Sequence, residues 1–84
     1  MKLKTGDAIR VLWVDACGSS EGWAPPYLNG VEVENVGLFV CQNRHGMCTA
    51  KGLTKSPDGT YDLDQVLEPT FIPRGMVRSI KRLR

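Results

Sequence analysis

VEVENVGLFVCQ, residues 31–42, is the stretch whose phase decides the fold. Val31 and Val33 fall on odd positions, whereas Val36, Leu38 and Val40 fall on even ones. Successive side chains of a strand point to opposite faces, so a single buried face cannot hold both sets unless the strand bulges or breaks between them. The change of phase falls near Asn35, and Gly37 beside it eases a sharp bend. A long, bent second strand is what allows a small sheet to curl and close on itself. The reading therefore predicts a barrel.

The flanking segments agree with it. AIRVLWV (8–14) alternates Ile9, Val11 and Trp13 against Arg10, which predicts a first strand. DACGSSEGWAPPYLNG (15–30) is too rich in Gly and Pro for regular structure and reads as a long loop. MCTAKGLT (47–54) reads as the third strand, VLEPTFI (66–72) as the fourth and VRSIKRL (77–83) as the last. SPDG within 55–65 is a type I turn signal, and PRGM (73–76) predicts one tight 3₁₀ turn before the last strand. The expected fold is all-β: one five-stranded SH3-like barrel spanning residues 1–84 as a single domain, with no helix longer than a turn. Its expected core is Ile9, Val11, Trp13, Val36, Leu38, Val40, Cys48, Ala50, Leu53, Ile72, Val77 and Ile80.

Size and charge narrow the classes of function. A chain of 84 residues has a thin core and little room to bury a deep catalytic pocket, which favours binding or structural work over catalysis. No segment approaches the roughly 20 apolar residues of a membrane helix. MKLKTGD (1–7) lacks the apolar stretch of a signal peptide, and three cysteines are an odd number. Both point to a reducing, cytoplasmic setting. The net charge is +2, but it is unevenly spread: residues 1–14 and 69–84 sum to +7, and residues 15–68 to −5.

CQNRHGMC (41–48) is the most conspicuous candidate site, since it brackets the only histidine with two of the three cysteines. With Cys17, the set Cys41, His45 and Cys48 has the donor chemistry of a Cys₃His zinc site. The C-x₃-H-x₂-C spacing is not that of the common fingers and ribbons. Parity places Cys41 on the face of Gly37 and Phe39, and Cys48 on that of Ala50 and Gly52. NRHG is a good hairpin turn in its own right, so a hairpin is the expected outcome, with no metal, no cofactor and no enzyme activity. Asp58, Asp62 and Asp64 alternate as calcium ligands do but lack the closing Glu of an EF-hand loop, and read as a solvated acidic loop.

The loop GWAPPYLNG (22–30) is a better candidate for recognition. Trp23 and Tyr27 flank Pro25 and Pro26, and exposed aromatics beside prolines suit the grooves in which SH3-like barrels take extended peptides. Trp23 folding back to cap one open end of the barrel is the other outcome, and a domain this short of core slightly favours it.

Three motifs in order, WVDACGSSEGW (13–23), VGLFV (36–40) and IPRGMV (72–77), resemble a group of small proteins of no assigned activity encoded by tailed bacteriophages and prophages. The likeness spans nearly the whole chain. It implies a phage or prophage origin, a compact SH3-like β domain working in the bacterial host cytoplasm, and no transferable functional residues. The favoured function is a non-catalytic binding module acting on a protein partner, as an accessory or host-takeover factor, with self-association through a strand edge as an added possibility. A virion structural component is one alternative. Nucleic-acid binding is the other, through Lys2, Lys4, Arg10, Arg78, Lys81, Arg82 and Arg84 if the first and last strands lie side by side. Arg74-Gly75 before the last strand resembles the corresponding pair of Sm-like RNA-binding proteins at the level of fold alone, since the Asp and Asn of the first Sm motif are absent from 37–48.

Overall fold

The computed structural model describes residues 2–15 and 30–83. Their regular structure is almost all strand: β1 (Ala8–Asp15), β2 (Val31–Gln42), β3 (Gly46–Ala50), β4 (Gly52–Lys55), β5 (Tyr61–Leu67), β6 (Thr70–Pro73) and β7 (Val77–Arg82), with one turn of 3₁₀ helix at Arg74–Met76. The all-β class and the 3₁₀ turn are as expected. The number of strands is not. Lys51 turns its backbone amide onto the Leu67 carbonyl at 2.9 Å, which divides the expected third strand into β3 and β4. The expected fourth is divided at Glu68, whose φ of 46° breaks the extended backbone.

The strands form two antiparallel sheets. One is five-stranded, in the order β6-β3-β2-β1-β7, and the other is the β4–β5 hairpin. Neither sheet closes among the described residues, and β6 and β7 are the two edges of the larger one. Its core lies on one face, where Ile9, Val11, Trp13, Phe39, Met47 and Ile72 pack together with Val33, Val77 and Ile80 beside them.

The decisive strand bends elsewhere than its valines suggest. β1 and β2 pair without interruption from Ala8↔Leu38 to Asp15↔Val31, so there is no bulge at Asn35. The irregularity lies between Phe39 and Cys41, where β2 has one residue more than β3. The odd positions therefore stay inward from Val33 to Phe39, and Val36, expected in the core, is 60% exposed. The reason is a polar residue in an inward position. Trp13 on β1 buries its indole, and its Nε1 donates to Asn35 Oδ1 at 2.7 Å. A buried indole N–H without an acceptor costs about 1–3 kcal/mol, so Asn35 takes the inward position that an apolar residue would otherwise fill. Of the remaining expected core, Val40, Ala50 and Ile72 are buried and Leu38, Cys48, Leu53, Val77 and Ile80 are only half-buried, whereas Phe39 and Met47 are core residues that parity had turned outward.

Candidate functional site

The displaced bulge also rearranges the cysteines. By inserting Val40 between the pairs Phe39↔Thr49 and Cys41↔Cys48, it swings Cys41 onto the face opposite Phe39 and makes it the direct partner of Cys48. On the other side Cys48 faces Phe71 of β6. A row Cys41–Cys48–Phe71 thus crosses the outer face, and Cys41 leaves the face of Phe39 on which parity had placed it. Burial raises the Cys48 pKa, the nearby Cys41 charge raises it further, and a Thr70 backbone hydrogen bond opposes both. Both thiols are free.

His45 does not complete a ligand set with them. The Asn43 side chain accepts the His45 amide at 2.8 Å and the Gly46 amide at 3.2 Å, which closes the turn, and His45 Nε2 accepts from Arg44 Nε at 3.3 Å. Among the described residues no three His, Cys, Asp or Glu side chains are grouped to hold a metal ion. Cys17 lies outside the described residues, as do Trp23, Pro25, Pro26, Tyr27 and Arg84. Asp58 and Asp62 act locally: Asp58 accepts from the Thr60 hydroxyl and amide, and Asp62 from the Asp64 amide.

The basic termini do meet in the sheet. β7 pairs with β1, with Arg10 opposite Lys81. Two of the cations have anionic neighbours, however: Arg10 lies 3.5 Å from Glu34, and Arg82 lies 3.4 Å from Asp7 while also donating to the Lys2 carbonyl. Lys4 precedes β1, its amide bound to the Asp7 carboxylate at 2.8 Å. Arg78 lies beside the irregularity in the β1–β7 ladder, on an exposed edge.

Two concavities escaped the sequence reading. The first, of about 540 Å³, opens between the β2–β3 turn and the 3₁₀ turn. Met47, Val77 and Ile80 give it an apolar lining, and Asn43, Arg44 and Arg74 a polar one without a carboxylate. Its two arginines are 30 positions apart in the chain. They are joined because β3 pairs with β6 through Gly46↔Pro73 and the Arg74 amide donates to the His45 carbonyl at 2.9 Å. No local motif announces such a pairing. The second concavity, of about 280 Å³, lies between Val36 on β2 and the segment Glu68–Thr70. Leu67 and Phe71, the residues on either side of that segment, are 59% and 55% exposed.

Comparison with protein families, with curated proteins and with solved structures finds no match for this chain.

Proposed function

We propose that the chain is a non-catalytic binding module that acts on a protein partner. The observation that carries this reading is the cleft between Val36 and Glu68–Thr70: Val36 in its wall is more than half exposed, and so are Leu67 and Phe71, which flank the other wall in sequence. Soluble domains rarely leave large apolar side chains clustered at a cleft without something to cover them. Its wall offers both hydrogen-bonding groups and apolar surface, through Asn35, Thr49 and Pro69. Phe71, the exposed residue that follows Thr70 of its wall, is of the aromatic kind that anchors protein interfaces. Trp23 and Tyr27, with Pro25 and Pro26, are a second contact of the same chemical kind on the sequence reading.

The resemblance of 13–23, 36–40 and 72–77 to small phage and prophage proteins supports an accessory or host-takeover factor of the bacterial cytoplasm, with a virion component as the quieter role. The order of strand, long connection, long second strand and 3₁₀ turn before the last strand supports a distorted relative of the SH3-like barrel. Among the described residues no helix is long and apolar enough to cross a membrane.

The test is capture from bacterial lysate with the intact chain and with Val36→Asp/Phe71→Asp. A protein retained in stoichiometric amount by the first and lost by the second, while circular dichroism shows both folded, supports the cleft. Retention by both moves the contact to Trp23 and Tyr27, where Trp23→Ala is the next variant. No retained protein at all overturns the reading. Nucleic-acid binding is favoured by one specific observation, the Arg10↔Lys81 pairing of β1 and β7. Charge reversal of Arg78, Lys81 and Arg82 would abolish such binding, and titration with short RNA and DNA at two salt concentrations checks it.

A further inference from the structure

The two arginines of the larger cavity form no ion pair among the described residues, and they share it with the apolar Met47, Val77 and Ile80 and with Gln42 and Asn43, but with no carboxylate. Guanidinium groups above an apolar floor are matched by a ligand that carries carboxylates on either side of an apolar side chain. This chain displays such a ligand itself. In the β4–β5 hairpin the register runs Thr54↔Asp62 and then Gly52↔Leu67, so four residues of β5, Leu63 to Val66, bow out opposite the single residue Leu53. The Asp62 carboxylate holds the bow by accepting the Asp64 amide at 2.9 Å. Leu63 stands in it between Asp62 and Asp64 and is 49% exposed.

No residue of this β4–β5 arm lines the cavity of its own molecule. The cavity lies at the Gly46 end of β3, and the arm leaves at Gly52, beyond the Ala50 end of the same strand. The four residue steps from Gly46 to Ala50 separate the two ends by roughly 13 Å. We propose that the occupant is a second copy: the Asp62-Leu63-Asp64 bow of one molecule docks into the Arg44/Arg74 cavity of the next, with Leu63 on Met47, Val77 and Ile80. The two surfaces differ and lie at opposite ends of one strand. The contact is therefore head-to-tail, and it propagates as a ring or an open chain. A cavity of about 540 Å³ is within the usual size of a ligand site and holds a leucine with its flanking carboxylates. This inference is independent of the partner-binding reading, which rests on Val36 and Phe71.

Sedimentation velocity on the full chain from micromolar to millimolar concentration tests it. Association should rise with concentration and weaken with added salt, since rim charges guide it. Leu63→Ser in the arm, or Arg44→Asp/Arg74→Asp in the cavity, should weaken association at least about tenfold, as for an anchoring interface residue. Mixing the arm variant with the cavity variant should restore dimers and nothing larger, because each then contributes its one intact surface. If Arg74→Asp disturbs the 3₁₀ turn, Arg44→Asp alone, in an exposed turn, serves as the cavity variant. A chain that stays monomeric at millimolar concentration and low salt overturns the proposal. So does association indifferent to the cavity variant, and so does a mixture of folded variants that remains monomeric.

Discussion

β1–β2 and β4–β5 are both antiparallel pairs, yet they are held by opposite means. The β1–β2 ladder runs eight residue pairs in unbroken register, and its inward side chains are buried beneath Ile72 and Met47. The β4–β5 ladder loses register after two pairs, and Leu63 and Leu67 remain exposed on it. A two-stranded ribbon is marginal in water unless something packs on a face. The difference teaches where stability and availability lie in this molecule. Side chains that fold it face the inner side of the larger sheet, and side chains free to meet another molecule lie on the arm and around Val36 and Phe71.

The sharpest way to break that contrast is to empty the core. Ile9 and Ile72 are wholly inaccessible, so Ile72→Ala should cost about 2–5 kcal/mol. Leu67→Ala on the arm should change stability by less than about 0.5 kcal/mol. Urea unfolding of the two variants checks both values, and equal losses would show that the arm is as tightly packed as the sheet. Next in size is the Trp13–Asn35 hydrogen bond. Asn35→Ala strands a buried indole N–H at a cost of about 1–3 kcal/mol, whereas its neighbour Val36→Ala should fall within about 0.5 kcal/mol of neutral. If the apolar phase of the sequence governed burial, those two outcomes would be exchanged.

That exchange marks the limit of what was legible in the sequence. Alternation placed Ile9, Val11 and Trp13 correctly, because in β1 the inward positions are all apolar. In β2 an inward asparagine interrupts the apolar phase, and its reason is a partner on another strand, which one-dimensional periodicity does not contain. The wrong bulge then turned Phe39 and Met47 outward and put Cys41 on the face of Phe39. The cavity arginines were hidden for a related cause, since only the β3–β6 register brings Arg44 and Arg74 together. The turns fared better, because Asn43, Asp58 and Gly59 act on their immediate neighbours.

The joint between arm and sheet yields a finer test. Gly6 has φ +95°, and a methyl group there would lie 2.8 Å from the Tyr61 ring carbon Cζ at the start of β5. Gly59, at the tip of the arm, has φ +92° with open space around it. Gly59→Ala should cost the backbone strain alone, about 1–2 kcal/mol, and Gly6→Ala should exceed it by the collision with Tyr61. Thermal unfolding of the pair isolates the excess. Equal losses would mean that Tyr61 swings aside freely and that the arm is not seated on the N-terminal segment.

The smallest effect concerns the tip of the arm and its dependence on pH. The Thr60 hydroxyl donates to Asp58 Oδ1 at 2.7 Å and the Thr60 amide at 3.0 Å, and these bonds hold the Asp58 pKa below the ordinary aspartate range. A depressed folded-state pKa means that the unfolded chain takes up the proton first as pH falls. The stabilisation is therefore present above the unfolded carboxyl's pKa of about 3.9 and is lost as pH falls through the lower folded value. The carboxylate is exposed, so the change should be confined to residues 56–60 and leave the sheet intact. An acid titration followed by NMR should show the Thr60 amide shifting below pH of about 4, at the folded pKa, while Val11 and Trp13 amides stay in place. In Asp58→Ala the Thr60 transition should vanish. A transition at Thr60 shared with Val11 would instead mean that the tip and the core unfold together, and the contrast between the two ladders would not extend to acid.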